Sequence, residues 1–236
     1  MRTRQLISAL LTTALLVAGC SGSGGSSDGG PDGGATDQLQ ARLATAKTTL
    51  DDAETISIKL STKRVPDGTT GLLSAEGKGN HSPAFEGKVT VVTGGASIGA
   101  DVIATGGKVY AKTGFLPGYT AIDPASLEAP DPASLLATDG GITAILLQTE
   151  GLEEDGQSRD GDDVLTTIKG SLPGSVVKKI IPSAAADRSF TVAYRLDDED
   201  TLRDVTLGGQ FYPTGGDVTY TVALETSDTP VTIETP

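Results

Sequence analysis

The chain has 236 residues, with 31 Asp and Glu against 18 Lys and Arg, a formal net charge of −13, one His, one Cys and no Trp. So acidic a surface is repelled by nucleic acid and by anionic headgroups, and neither is expected as a partner through charge. One His and one Cys leave no convincing ligand set for a transition metal, and a lone Cys closes no internal disulfide.

The N-terminus carries Arg2 and Arg4, an apolar run from Leu6 to Val17, and then Val17-Ala18-Gly19-Cys20. This is the layout of a secretory signal peptide, with residues 1–19 removed. The run is shorter than the roughly 20 apolar residues of a spanning helix, and no later segment replaces it. A Cys directly after two small residues matches the lipobox, at which bacterial signal peptidase cuts before a cysteine already bearing diacylglycerol. Lipidation accounts for the unpaired Cys20 and places the chain on the extracytoplasmic face of the cell membrane. Loss of Arg2 and Arg4 moves the net charge from −13 to −15. Membrane contact is then expected from the acyl chains on Cys20, two or three of which hold firmly where one does not.

Residues 20–35 are almost wholly Gly, Ser and Asp after the cysteine, a composition that buries too little surface to fold. They read as a tether with a mean span of roughly 20 Å. Residues 36–236 then suffice for one domain with a sizeable core.

That domain opens with Leu39, Leu43, Ala46 and Leu50 at helical spacing. The period changes to two at Ile56, Ile58 and Leu60, which alternate with Ser57, Lys59 and Ser61. Further strands are predicted near 72–80, 85–93, 97–105 and 108–112, with Gly94-Gly95 and Gly106-Gly107 at the hairpin turns. A Pro-rich stretch follows. Beyond it, Leu135, Leu136, Ile142, Ile145 and Leu146 predict short helices that cover one sheet face. Residues 157–160 and 164–169 flank a turn at Gly161, residues 173–181 form a short helix with Pro at its start, and 190–196, 201–211 and 217–226 resume the sheet. The order predicts an α+β fold, a curved antiparallel β-sheet with helices on one side. With 4 Phe, 5 Tyr and no Trp, the core has few large fillers, and a curved sheet lined by small residues leaves room for another molecule.

No catalytic machinery is expected. Gly95-Ala-Ser97-Ile-Gly99 fits G-x-S-x-G, but it opens a strand instead of turning from strand into helix, and the sole His81 precedes the serine. His81 reads as a surface residue at a strand end. Gly25-Ser-Ser27-Asp-Gly29 repeats the pattern inside the tether. Gly106-Gly-Lys108 lacks the spacer and helix of a phosphate loop. The acidic residues 153–155 and 160–163 lack the spacing of a calcium loop and read as a solvated hairpin.

Several segments together resemble the LppX/LprAFG lipoproteins of actinobacteria, the LprG-type members in particular. They are Cys20, Gly87–Asp101, Gly107–Ala111, Asp131–Leu136 leading into Gly141–Leu146, Asp160–Val164 and Thr167–Gly170. The chain departs from the family in having Phe115 or Tyr119 where a Trp is expected, and in its more acidic C-terminal strands. The resemblance implies a half-barrel similar to LolA and LolB, with helices covering the concave face above an apolar cavity. It also implies a non-enzymatic, cofactor-free carrier of envelope lipids, such as triacylated glycolipids or triacylglycerol, and admits a membrane exporter as a partner. The candidate cavity residues are Ile56, Ile58, Leu60, Val89, Val91, Ile98, Ala100, Val102, Leu135, Leu136, Ile142, Ile145 and Leu146. The rival expectation is a structural or signalling lipoprotein that binds a protein partner and has no lipid cavity.

Overall fold

The computed structural model describes residues 31–115, 117–127 and 129–236. Cys20, the apolar run before it and the Gly25–Gly29 motif lie outside the described residues. Helix α1 spans Pro31–Asp52, so it begins inside the segment expected to be tether. Proline's fixed φ suits the first helical turn, where its missing N–H leaves no bond unmade.

Eleven strands follow: β1 Thr55–Thr62, β2 Gly71–Asn80, β3 Ala84–Thr93, β4 Ala96–Thr105, β5 Lys108–Thr113, β6 Thr120–Ile122, β7 Glu150–Asp160, β8 Asp163–Pro173, β9 Ser189–Leu196, β10 Leu202–Gly209 and β11 Val218–Ser227. Helix α2, Gly174–Ile180, lies between β8 and β9. Every neighbouring pair is antiparallel, in the order β6-β5-β4-β3-β2-β1-β11-β10-β9-β8-β7. Two meanders therefore join where the first strand pairs with the last. The sheet is open, because β6 and β7 are unpaired edges.

The turns at Gly94-Gly95 and Gly106-Gly107 hold both residues at positive φ, between 56° and 80°. That backbone matches the right-handed twist of the strands it joins. Strand β7 is longer than its alternation indicates, since Gly151 and Gly156, at φ 61° and 79°, stand at two register shifts. Each bulge resets the inside-outside parity and twists the edge away from further pairing.

The connection from β6 to β7 passes from one edge of the sheet to the other and contains 3-10 turns at Pro124–Leu127, Ser134–Leu136 and Ile142–Gln148. Helix α1 packs against the last of these and against β7. Leu43 and Ala46 on α1 are wholly buried, and Leu39 and Leu50 nearly so. They meet a core built from Ile168, Leu172, Phe190, Tyr194, Leu196 and Phe211. Burial of each such Leu, Ile or Phe side chain contributes about 1.5–3 kcal/mol, enough to hold short 3-10 segments that would not persist alone.

Candidate functional site

Strand register gathers the predicted strand positions on one sheet face. Leu60 lies opposite Ala75, Ala75 opposite Val89, and Val89 opposite Ala100. One step along, Ile58, Gly77, Gly87 and Val102 form the next row, then Ile56, Gly79, Phe85 and Ala104. In the other direction Leu72 faces Val91, and Val91 faces Ile98. The face toward the helices is thus apolar across β1–β4, and many of its residues are Ala or Gly.

Burial falls along this face. Ile56, Phe85 and Ala104 are buried beneath the helical layer, and Val102 is also buried. Ile58, Leu60, Val89 and Ala100 are half-buried at the margin of the core, while Val91 and Ile98, also half-buried, do not pack against it. The layer itself divides in the same way. Leu136, Ile145 and Leu146 are in the core and Ile142 rests on its margin, but Leu135 is half-buried and stands outside it. Of the adjacent pair Leu135 and Leu136 on the Ser134–Leu136 turn, only Leu136 faces inward, whereas Ile145 and Leu146 are both buried on the following turn.

Three residues that alternation did not single out fix the layer to the sheet. Gly79 leaves room for Leu136, whose Cδ1 stands 2.2 Å from where a Cβ would be. The ring of Phe85 lies over Gly77 and Gly87 in the same manner. His81, in the β2–β3 turn, is a correction to the surface reading: it is half-buried, with Nδ1 2.6 Å from the Leu136 carbonyl oxygen and Nε2 2.9 Å from that of Leu50. Sequence patterning gives no signal for a side chain whose partners are main-chain carbonyls. The β11 positions Tyr220, Val222 and Leu224 extend the apolar face beyond β1, as their pairing with β1 and β10 requires.

The opposite face is charged. Lys59, Glu76, Lys88, Asp101 and Lys112 alternate in sign across five paired strands. Lys78 and Glu86 form a neighbouring ion pair at 3.3 Å. All of these but Lys112 wall a groove of about 930 Å³, open to solvent, that also borders Tyr119 and Glu225. It lies on the face away from the helices, so it is not the apolar space expected between helices and sheet.

The serine of the G-x-S-x-G pattern and the sole histidine are not brought together. Ser97 is exposed beside the β3–β4 turn, at the opposite end of β3 from His81. Among the described residues no group of three His, Cys, Asp or Glu side chains could hold a metal ion, and no helix is long and apolar enough to cross a membrane. The acidic β7–β8 hairpin is exposed, and its carboxylates meet cations: Asp155 pairs with Lys169, Asp160 with Arg195, and Asp163 with Arg203.

The sequence matches the LppX_LprAFG lipoprotein family over residues 37–234. The chain belongs to this family. A curated LppX/LprAFG-type relative, the lipoarabinomannan carrier protein LprG of Mycolicibacterium smegmatis, is 29% identical over 230 residues, covering 93% of this chain and 91% of LprG. Among solved structures, LprF from Mycobacterium bovis superposes with a TM-score of 0.67 at 16% identity, covering 85% of this chain and 97% of LprF. LppX from Mycobacterium tuberculosis gives 0.60 at 18% identity, over 84% of this chain and 99% of LppX. The open antiparallel sheet with its helical cover is therefore the fold shared by these LppX/LprAFG proteins.

Proposed function

We propose that this protein binds the acyl chains of envelope lipids on the helix-facing surface of β1–β4 and carries them through the cell envelope while anchored by lipid on Cys20. The observation that carries this reading is the apolar strip that runs from Leu60, Val89 and Ala100 at the margin of the core out to Val91 and Ile98 beyond it, all half-buried. Acyl chains laid there, with the 3-10 turns as a lid, would extend the core. Each methylene moved out of water gains about 0.8 kcal/mol, so one long chain supplies ample affinity. Release is the harder step, and transfer into a membrane exchanges one apolar environment for another. The name of the LprG relative, a carrier of lipoarabinomannan, supports a lipid bearing a glycan headgroup. Such a role needs neither catalysis nor a cofactor.

The test is mass spectrometry of organic extracts from the purified protein, counting only lipid not bonded to Cys20. Long-chain glycolipid or triacylglycerol should appear. Val91→Trp, which fills the strip, should lower both the extracted lipid and its transfer between vesicles. The rival reading, a lipoprotein that docks a protein partner, draws on the close packing of Leu43, Leu50, Leu136 and Leu146, all no more than 2% exposed, under the helices. An empty extract together with unchanged transfer by Val91→Trp would count decisively against lipid carriage and leave the rival.

A further inference from the structure

The ends of β2–β6 farthest from His81 carry no formal charge. Gly68–Ala75, Val89–Ala100 and Thr113–Ile122 contain no Asp, Glu, Lys, Arg or His, in a chain of which 21% is charged. At that density a chance arrangement would place several charges among them. These segments are distant in sequence but adjacent in the sheet: Leu72 pairs with Val91, Val91 with Ile98, Ala100 with Thr113, and Ala111 with Thr120. These three segments are therefore uncharged, although the molecule is strongly acidic, and Lys63, Arg64 and Asp67 of the β1–β2 connection border them.

The same end carries accessible apolar groups. Val91 and Ile98, paired across β3 and β4, are half-buried and stand outside the core. Phe115, between β5 and β6, is 90% exposed, whereas Phe85, Phe190 and Phe211 are buried. At the border of the uncharged zone the Lys112 Nζ stands 5.9 Å from the centre of the Tyr119 ring. An aromatic ring beside a lysine that can extend its ammonium toward water is the composition found where proteins meet the lipid headgroup layer.

We propose that this end, comprising the β3–β4 turn and Phe115, docks into the interface of a lipid bilayer. A fluid layer takes up Phe115 on its connection together with Val91 and Ile98 at the β3–β4 end without needing a surface shaped to match them. The absence of charge from these segments also lowers the desolvation penalty that an ordinary acidic surface would incur on entering the headgroup boundary. The net charge of −13 makes a zwitterionic bilayer the suitable surface. Docking is independent of what the strip binds, and it would direct the half-exposed end of that strip at the membrane.

Because the chain has no Trp, a single substitution provides the reporter. The full-length protein, purified as the cell processes it, carries Phe115→Trp or, as control, Leu147→Trp on the 3-10 turn of Ile142–Gln148, where Leu147 is 45% exposed. Each is placed in phosphatidylcholine vesicles with brominated acyl chains. The Phe115→Trp emission should shift to the blue, be quenched by bromine, and become several-fold less accessible to aqueous acrylamide, while the Leu147→Trp emission stays as it is in detergent-free buffer. Adding Ser97→Asp, at an exposed position that cannot disturb the core, should reverse most of the Phe115→Trp change with the melting temperature unaltered. The proposal is overturned if acrylamide reaches the Phe115→Trp reporter equally with and without vesicles. It is also overturned by a blue shift that grows with protein concentration in the absence of lipid, which would assign this end to a second copy. Neither outcome alters the extracted-lipid measurement, so the two readings fail separately.

Discussion

The Nε2 atom of His81 lies 2.9 Å from the carbonyl oxygen of Leu50, in the last turn of α1. Its other ring nitrogen, Nδ1, is 2.6 Å from the carbonyl of Leu136, so one imidazole in the β2–β3 turn reaches both a helix C-terminus and the 3-10 lid. Carbonyl oxygens only accept, and each bond forms when the facing nitrogen carries the proton. Removing the ring leaves both carbonyls without this donor in a half-buried place. His81→Ala should therefore lower stability by about 1–3 kcal/mol, read as a fall in the urea midpoint. It should also make the 123–149 connection more open to proteolysis than the sheet. A loss confined to the noise of the titration, with the connection still protected, would show that packing of Leu136 on Gly79 holds the lid alone.

The Phe85 ring depends on the absence of side chains at Gly77 and Gly87. A Cβ on Gly87 would lie 2.8 Å from Phe85 Cζ and 2.4 Å from the Glu76 carbonyl oxygen, and backbone cannot yield as a flexible side chain does. Gly87→Ala should cost about 1–3 kcal/mol through overpacking, a penalty of opposite origin to a cavity mutation. Thermal unfolding of this variant beside Gly99→Ala, whose Cβ would meet open space, separates steric conflict from the general effect of replacing a strand glycine. Equal melting temperatures for the two would refute the close approach.

Much of this was legible in the sequence because most strands have one wet face. Ile56, Ile58 and Leu60 alternate with Ser57, Lys59 and Ser61, and the parity assigned from that pattern is the parity observed. The paired glycines announced two hairpin turns for the same reason, since few other residues accept positive φ twice in succession. Strand β7 was half hidden because Gly151 and Gly156 break its alternation, and β6 has only three residues. The start of α1 was masked by tether-like composition. Which apolar residues line the strip's open end and which fill the core was not legible at all. Val89 and Val91 are equivalent by period, and only the position of the helical layer separates them.

Burial holds the phenols of Tyr194 and Tyr220 in their neutral form and pushes both pKa values well above 10, the ordinary value. Tyr194 OH is 2.7 Å from Thr149 Oγ1, a bond that opposes the shift less than desolvation drives it. A raised folded-state pKa means that the folded protein holds the proton more tightly than the unfolded chain. The stability it contributes is complete below about pH 10 and is lost as pH rises past that point, because the unfolded phenol ionises first. Stability should thus be flat with respect to these groups near neutrality and decline steeply in alkali. Tyr194→Phe should flatten part of that decline, at a cost of about 0.5–1.5 kcal/mol at neutral pH for the lost hydrogen bond. Denaturant titrations from pH 8 upward would contradict this account if wild type and variant declined in parallel.

Arg195 and Asp204 form a bidentate pair between β9 and β10, with Nε 2.9 Å from Oδ1 and Nη2 on Oδ2. The hydrogen bonds to Asp204 raise the guanidinium pKa further, so Arg195 remains charged throughout. The two partners are unequally exposed, however, the arginine side chain at 33% and the aspartate at 9%. Truncating the arginine abandons a carboxylate that water hardly reaches. Truncating the aspartate leaves a cation that is already one-third solvated and retains Asp160 at 3.4 Å. Arg195→Ala should accordingly be the worse lesion, approaching about 3–5 kcal/mol, and Asp204→Ala the milder at about 1–2 kcal/mol. The double variant should be less destabilised than the sum of the singles, since the second truncation removes the charge that the first one stranded. Equal single costs in a guanidinium titration would mean that the aspartate gains water when its partner leaves, and that the pair is a surface contact in energetic terms.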